Sequence, residues 1–428
     1  MDNHDIQRNV RYNVTVNVLD GSFFGAAMGI ASFVTVIPLF MSTLTSSATL
    51  IGLIAAIHSV GWQLPQLLTA RRVAGLRRYK PMVVLMTINE RLPFLGLALV
   101  AWFAKSLGTD LALLLTFILL IWQGLGGGLT ATAWQSMIGK IMPVNRRGTF
   151  FGIQSAAANL LASGGAVLAG SILNALPSPL DYTLCFGLAS LAMLISWLFL
   201  ARVREPDLEP EGAFTTQGDF WRRLGTILKT DSNFRWFLAA RILSQLALMA
   251  TAFFTIYAVQ RFGMSAKVAG LLTALYLMIQ TLANPLMGWL GDRFSHRLVM
   301  EVGALVAVAA AAGAWLAPAL GWFYLVFALA GVANVAFWTT AMAMTLDFGT
   351  SVDRPAYIGL ANTLVAPATL IAPLIGGWMA DSLGYSATFA TATIGGLITW
   401  LILRMFVRDN HGRSRAIERL PALVAGAE

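Results

Sequence analysis

The chain has 428 residues, 57% apolar and 11% charged, with a mean hydropathy of +0.71 and a formal net charge of +9 at pH 7. A soluble globular chain carries roughly a quarter charged residues, so this composition excludes a water-covered surface and points to lipid as the solvent. One cysteine, Cys185, excludes an internal disulfide framework, and the histidines at 4, 58, 296 and 411 show no metal-ligand spacing.

Residues 1–13 (MDNHDIQRNVRYN) are polar and lack the apolar core and small-residue site of a cleavable signal, so the first apolar segment reads as a permanent span. A hydrocarbon core about 30 Å thick takes roughly 20 apolar residues in helix. Twelve segments meet that length: 16–42, 48–70, 82–104, 111–139, 148–176, 181–201, 234–259, 267–290, 298–317, 321–346, 355–380 and 385–407. Their Gly and Pro residues are tolerated in lipid where neighbouring helices satisfy the freed backbone groups, and the pattern is not the short alternation of a membrane β-barrel. The expected fold is all-α, a polytopic membrane protein of twelve transmembrane helices in two pseudo-symmetric six-helix bundles.

Charge sets the orientation. With the N-terminus inside, 24 of the 29 Lys and Arg residues fall on inner loops and tails, and only Lys105, Arg261 and Lys267 fall outside. That asymmetry is a positive-inside signal, placing both termini in the cytoplasm and the chain in the cytoplasmic membrane. It accounts for the basic net charge without nucleic acid. The expected organisation is an N-terminal half at 1–201, a cytoplasmic connection at 202–233, a C-terminal half at 234–410 and a tail at 411–428. Within the connection, REPDLEPEGAFTTQGD reads as irregular. In the following FWRRLGTILKT, Phe220, Trp221, Leu224, Ile227 and Leu228 share one face. That pattern fits an interfacial helix or an extension of the next span.

The halves repeat. Phe151-Gly152 aligns with Ile358-Gly359 and Gly170 with Gly377, at an offset of 207, while LIGLIAAI at 50–57 matches VAGLLTAL at 268–275, at an offset of 218. This is a parallel duplication of six helices. Gly152, Ala156, Ser163, Gly170, Gly376 and Gly377 are small enough to permit close helix contact.

Six plus six helices with a basic loop after the second helix of each half resemble the major facilitator superfamily. The residues that carry the resemblance are GWLGDRFSHR, in which Gly288, Asp292, Arg293 and Arg297 match the family's loop motif; Ser295 replaces its second Gly and His296 takes a basic position. The resemblance implies a conformational latch, with Asp292 and Arg293 bridging neighbouring helices. The first-half loop, ARRVAGLRRYK, has no Asp, so a latch there must borrow a carboxylate from elsewhere. In the fourth-helix motif Gln123, Gly124 and Gly126 are present, but Leu120 stands where proton-coupled drug antiporters of the family carry Arg. The fifth-helix antiporter signature is absent, with a partial likeness in APLIGG at 372–377.

In such folds the first, fourth, seventh and tenth helices line the cavity. There the sequence offers Trp122, Gln123, Trp134, Gln135, Gln245, Tyr257, Asn334, Phe337 and Trp338. Aromatic faces with a few amides suit an amphipathic organic ligand; interfacial anchoring or helix packing is the alternative for each aromatic.

The stretch TINERLPFLG puts Glu90 and Arg91 inside the third span, roughly 14 Å into the core when counted from Pro81. His58, on the second span, reaches a similar depth and could meet Glu90. Adjacent residues point about 100° apart on a helix, so Glu90 and Arg91 are not natural partners, and Pro93 frees the carbonyl of Asn89. Intramembrane ionisable groups are candidates for function, so Glu90, Arg91 and His58 are the candidates for proton coupling; a static polar cluster is the rival reading. Asp20 and Arg241, each about 9–10 Å from the inner end of its helix, are expected to meet when an inner gate closes.

The resulting expectation is a monomeric secondary transporter that moves a small organic solute by alternating access, with proton-coupled efflux as the sharper form. The alternative is a non-transporting assembly factor or sensor on the same fold. No nucleophile–base arrangement, phosphate loop or metal cluster marks an enzyme, and no cofactor is implied.

Overall fold

The computed structural model describes residues 3–207, 217–350 and 353–409. The tail at 411–428 and the middle of the central connection lie outside them. All regular structure there is helical: α1 (Asn3–Ile30), α2 (Val36–Leu44), α3 (Ala48–Gln63), α4 (Gln66–Ala74), α5 (Lys80–Met86), α6 (Ile88–Leu107), α7 (Thr109–Ile141), α8 (Arg147–Ala175), α9 (Leu180–Leu200), α10 (Gln217–Thr230), α11 (Ser232–Met249), α12 (Phe254–Phe262), α13 (Ala266–Arg293), α14 (His296–Trp315), α15 (Trp322–Val335), α16 (Ala341–Thr345), α17 (Arg354–Thr363), α18 (Ala366–Leu383) and α19 (Tyr385–Met405).

Ten helical segments among the described residues are long and apolar enough to cross a membrane, from Lys80–Leu107 to Tyr385–Met405. They correspond to the third to twelfth expected spans. The first two expected spans are broken helices. After α1, the Ser32 hydroxyl accepts the N–H groups of Val34 and Thr35, which takes them from the helix ladder. After α3, Pro65 has no N–H to donate, and α4 starts one residue later.

The chain forms two compact units: 1–141, 154–213 and 358–366 make the first; 142–153, 214–357 and 367–428 make the second. Each therefore includes a short segment from the other sequence half. The duplication is visible inside the units. Thr132 donates to the Gln66 carbonyl at 2.9 Å in the first, and Thr339 donates to Asn284 Oδ1 at 2.6 Å in the second. These residues stand at the same offsets, 207 and 218, that the sequence repeat shows.

α10 is a helix in its own right rather than an extension of α11. Asp231 interrupts the two and caps α11 by accepting from the Phe234 N–H at 2.9 Å. Phe220, Leu224 and Ile227 are buried, and Arg223 grips Asp353 through two bonds of 3.0 and 2.6 Å. Those hydrogen bonds hold the Arg223 pKa above its ordinary value.

Close helix contacts are made by glycine. Gly21, Gly25 and Gly29 form a stripe with four-residue spacing on α1; a Cβ on Gly25 would strike the backbone of Ala158, and one on Gly29 that of Ala162. Of the glycines singled out in the sequence, Gly152 is pressed against the backbone of Asn284 and Gly376 against Phe253, whereas a Cβ on Gly170 would meet nothing within 4 Å. Gly29→Leu is therefore expected to cost roughly 1–3 kcal/mol by overpacking and to lower the thermal unfolding midpoint in detergent micelles, while Gly170→Leu leaves the midpoint unchanged.

Candidate functional site

The third span breaks at Thr87, which ends α5 and starts α6. Its carbonyl accepts the N–H groups of Glu90 and Arg91 at 3.1 and 3.2 Å. The break puts Glu90 in the first turn of α6, where the helix dipole favours a negative charge. Arg91 reaches across to α1 and α9. Its Nη2 donates to Asp20 Oδ1 at 3.1 Å and to Ser196 Oγ at 2.9 Å, and Ser196 donates to Asp20 at 2.6 Å. Its Nη1 turns back to the Thr87 hydroxyl and lies 3.8 Å from Glu90 Oε2. Glu90 and Arg91 thus approach despite being adjacent, because the long arginine side chain folds back one helical turn. All five side chains are buried. The cluster is not fully satisfied, since Arg91 Nε has no acceptor among the described residues.

The glycine run of the fourth span brings α7 onto this cluster. Gly124 packs on the backbone of Ile57 and Gly61, Gly126 on the Asn89 carbonyl, and Gly128 on the Pro65 ring; a Cβ on Gly127 would sit 2.6 Å from Glu90 Oε1. Glu90 therefore faces α7 across a glycine. The same approach of α3 and α7 turns His58 away from Glu90: its Nδ1 lies 3.0 Å from Gln123 Oε1, and its ring lies tilted by 30° against Phe33 with centroids 4.4 Å apart. The expected His58–Glu90 contact is replaced by His58–Gln123. Leu120, at the position of the family arginine, is fully buried in apolar core.

Asp20, expected to meet Arg241 on closure of an inner gate, is bound within the first unit. α1, α6 and α9 pack side by side in the first unit, so Asp20 finds its cation on α6. Arg241 belongs to the second unit, where it is buried with its guanidinium 5.9 Å from the Phe237 ring centroid.

Gln135 is buried on α7, and neither end of its amide has a partner among the described residues. Leaving a buried polar group unsatisfied costs about 1–3 kcal/mol. Trp134 is half-buried, Asn334 is half-buried on α15, and Trp338 is 47% exposed on a π-helical turn, 336–340, between α15 and α16. Gln245 is held by Ser244 and Thr369 at 3.4 Å each. Trp122 is partly exposed and donates to Asn89 Oδ1 at 3.1 Å. Phe337 and Tyr257 are buried, Tyr257 in an aromatic cluster with Phe323 and Phe389. That cluster makes Tyr257 part of the packing.

The loop after α13 has a defined geometry. Asp292 accepts the Gly148 N–H at 2.9 Å and the Thr149 N–H at 2.6 Å, capping the start of α8 within the second unit. A Cβ on Gly288 would strike the Gly148 carbonyl, which explains the glycine. Arg293 is exposed and makes no ion pair among the described residues, so it is not the partner of Asp292. His296 takes that place, with Nε2 3.4 Å from Asp292 and Nδ1 2.7 Å from Asp347, while Arg297 binds Glu301 at 2.6 Å. In the first unit, Glu205 supplies the missing carboxylate. It accepts the Tyr79 and Lys80 N–H groups at 2.8 and 2.7 Å and the Lys140 ammonium at 2.8 Å. The joint equivalent to the α13–α8 contact is uncharged: Asn362 donates to Gln66 at 2.7 Å, and Thr363 accepts the Leu67 N–H at 3.2 Å.

The sequence profile of the Major Facilitator Superfamily matches residues 19–266 and 237–425. Among similar proteins, the multidrug transporter protein MdtP of Bacillus subtilis is 28% identical over 144 residues, which is 34% of this chain and 26% of that protein. The multidrug transporter AQR1 of Candida glabrata is 25% identical over 136 residues, 32% of this chain and 23% of that protein. The match thus spans about a quarter of the length of these relatives. The fold is that of the Escherichia coli fucose:proton symporter FucP, with a TM-score of 0.72 at 16% identity over 93% of this chain and 99% of that one. It is also that of the human organic anion transporter MFSD10, with 0.71 at 15% over 92% and 99%. With its profile matched along nearly the whole sequence, the chain belongs to the Major Facilitator Superfamily.

Proposed function

We propose that the protein is a secondary transporter that exports a small amphipathic organic solute across the cytoplasmic membrane by alternating access, in exchange for protons. The observation that carries this reading is the buried group of Asp20, Glu90 and Arg91. One guanidinium cannot neutralise two carboxylates in a low-dielectric medium. Arg91 is committed to Asp20 and Ser196, and Glu90 is the more loosely held carboxylate, 3.8 Å from the guanidinium. A proton is the remaining way to neutralise it, so Glu90 is the exchangeable site and Arg91 the buried cation that Leu120 does not provide. Gln135 supplies donor and acceptor to the solute, and the names of the two multidrug relatives favour the amphipathic class. The halves at 1–201 and 234–410 are the moving bodies, both termini are cytoplasmic, and the monomer is the working unit. The α8 cap made by Asp292, backed by His296 and Asp347, is the latch that opens and closes with each cycle.

The test is flux of a fluorescent amphipathic cation, ethidium, in liposomes containing purified protein. Glu90→Gln is expected to keep downhill flux while losing its acceleration by an imposed pH gradient. An unchanged response to the gradient contradicts proton coupling at Glu90, and absence of flux in the unmodified protein for this and other amphipathic probes favours the non-transporting alternative. Asp292→Asn weakens two charge-assisted caps worth about 1.5–3 kcal/mol each, and is expected to slow flux at least tenfold. Arg293→Gln, at the neighbouring motif position, is expected to leave the rate unchanged.

A further inference from the structure

A groove of about 640 Å³ opens on the first unit where the third and sixth spans meet the connection after α9. Its polar end carries Lys80 and Arg202, and its apolar wall runs along Val84, Leu85 and Ile88 beside Trp197. The other charges at the polar end are committed. Arg78 pairs with Asp207 at 3.1 Å, Arg204 lies 4.1 Å from the Tyr12 ring centroid and bonds Asn9, and both Glu205 oxygens are taken by Tyr79, Lys80 and Lys140. The Lys80 and Arg202 side chains have no carboxylate partner among the described residues; the Arg202 guanidinium lies 5.7 Å from the Phe199 ring centroid. Leu85 is 60% and Ile88 38% exposed, and Trp197 is fixed by donating to the Val84 carbonyl at 2.9 Å.

Two cations with no carboxylate partner among the described residues, at one end of an apolar channel, call for an amphiphile with an anionic head. We infer that the groove binds an anionic phospholipid, with its phosphate between Lys80 and Arg202 and an acyl chain along Leu85 and Ile88. Lys80 to Ile88 covers about 12 Å of helical rise, the depth from a headgroup into the upper acyl chain. Basic pockets between spans on the cytoplasmic face attract anionic headgroups, and a soluble phosphate would leave the leucine and isoleucine wall uncovered. The lipid would rest on the span that carries Glu90 and Arg91, at the end clamped by Glu205. The site does not depend on transport or on proton coupling, so it is tested separately from them.

The experiment is native mass spectrometry of the full-length protein in neutral detergent, with phosphatidylglycerol and phosphatidylcholine of identical acyl chains. The unmodified protein is expected to retain phosphatidylglycerol at least fivefold more strongly. The double variant Lys80→Gln/Arg202→Gln is expected to lose that preference. Leu85→Trp, which fills the channel and leaves both charges, is expected to weaken phosphatidylglycerol retention as well. Equal retention of the two lipids by the unmodified protein, or a preference that survives the double variant, overturns the assignment. So does full competition by glycerol phosphate that is insensitive to Leu85→Trp, because it would identify a site for a free anion. Arg202 and Leu85 are exposed and Lys80 is half-buried, and an unchanged thermal midpoint checks the folding of each variant.

Discussion

An arginine stays inside a bilayer only where its charge is balanced and its N–H groups find acceptors, and Arg91 imposes that requirement on the whole first unit. To meet it, α1 must bring Asp20, α9 must bring Ser196, and the third span must break at Thr87 so that the guanidinium can fold back. Three spans are thereby fixed in register by one side chain. Glu90 is drawn into the same place by its neighbour and is left less well compensated. The proton exchange proposed for Glu90 rests on that asymmetry.

Glycine lets the remaining helices come close enough to matter. Gly127 admits the Glu90 carboxylate against α7, Gly124 brings His58 to Gln123, and Gly288 lets α13 approach Gly148 so that Asp292 can reach the α8 N-terminus. The two joints also differ chemically. The one around α8 depends on charge, through Asp292, His296 and Asp347, while the one around α4 and α17 depends on the neutral Gln66–Asn362 pair.

The fold was legible from composition and span length, because an apolar run of roughly 20 residues in lipid has few structural options. The breaks in the first two spans were harder to read: Ser32 and Pro65 act through local hydrogen bonding, which a length criterion ignores. Glu90 and Arg91 announced themselves as charges in an apolar segment, yet their partners did not. Pairing depends on which spans are neighbours, and a depth count does not show that α6 reaches α1 and α9. Ser196, a hydroxyl in the inner half of the sixth span, and Asp347, a lone carboxylate just after the tenth, were available as signals. So was the four-residue glycine spacing of α1. The loop motif pointed to Gly288 and Asp292, which both meet the start of α8, and to Arg293, whereas the buried side chain beside Asp292 and Asp347 is His296.

The central claim is that Arg91 and Asp20 stabilise one another as a pair inside the membrane, with Glu90 as the spare charge. A double-mutant cycle on unfolding free energy in bicelles, using Asp20→Asn, Arg91→Gln and both together, tests it directly. Losing one partner of a buried pair costs about 3–5 kcal/mol, so Arg91→Gln should be strongly destabilising alone and markedly less so when Asp20 is also neutral. If instead the two effects add to within about 0.5 kcal/mol, the side chains do not depend on one another and the account of this cluster is wrong.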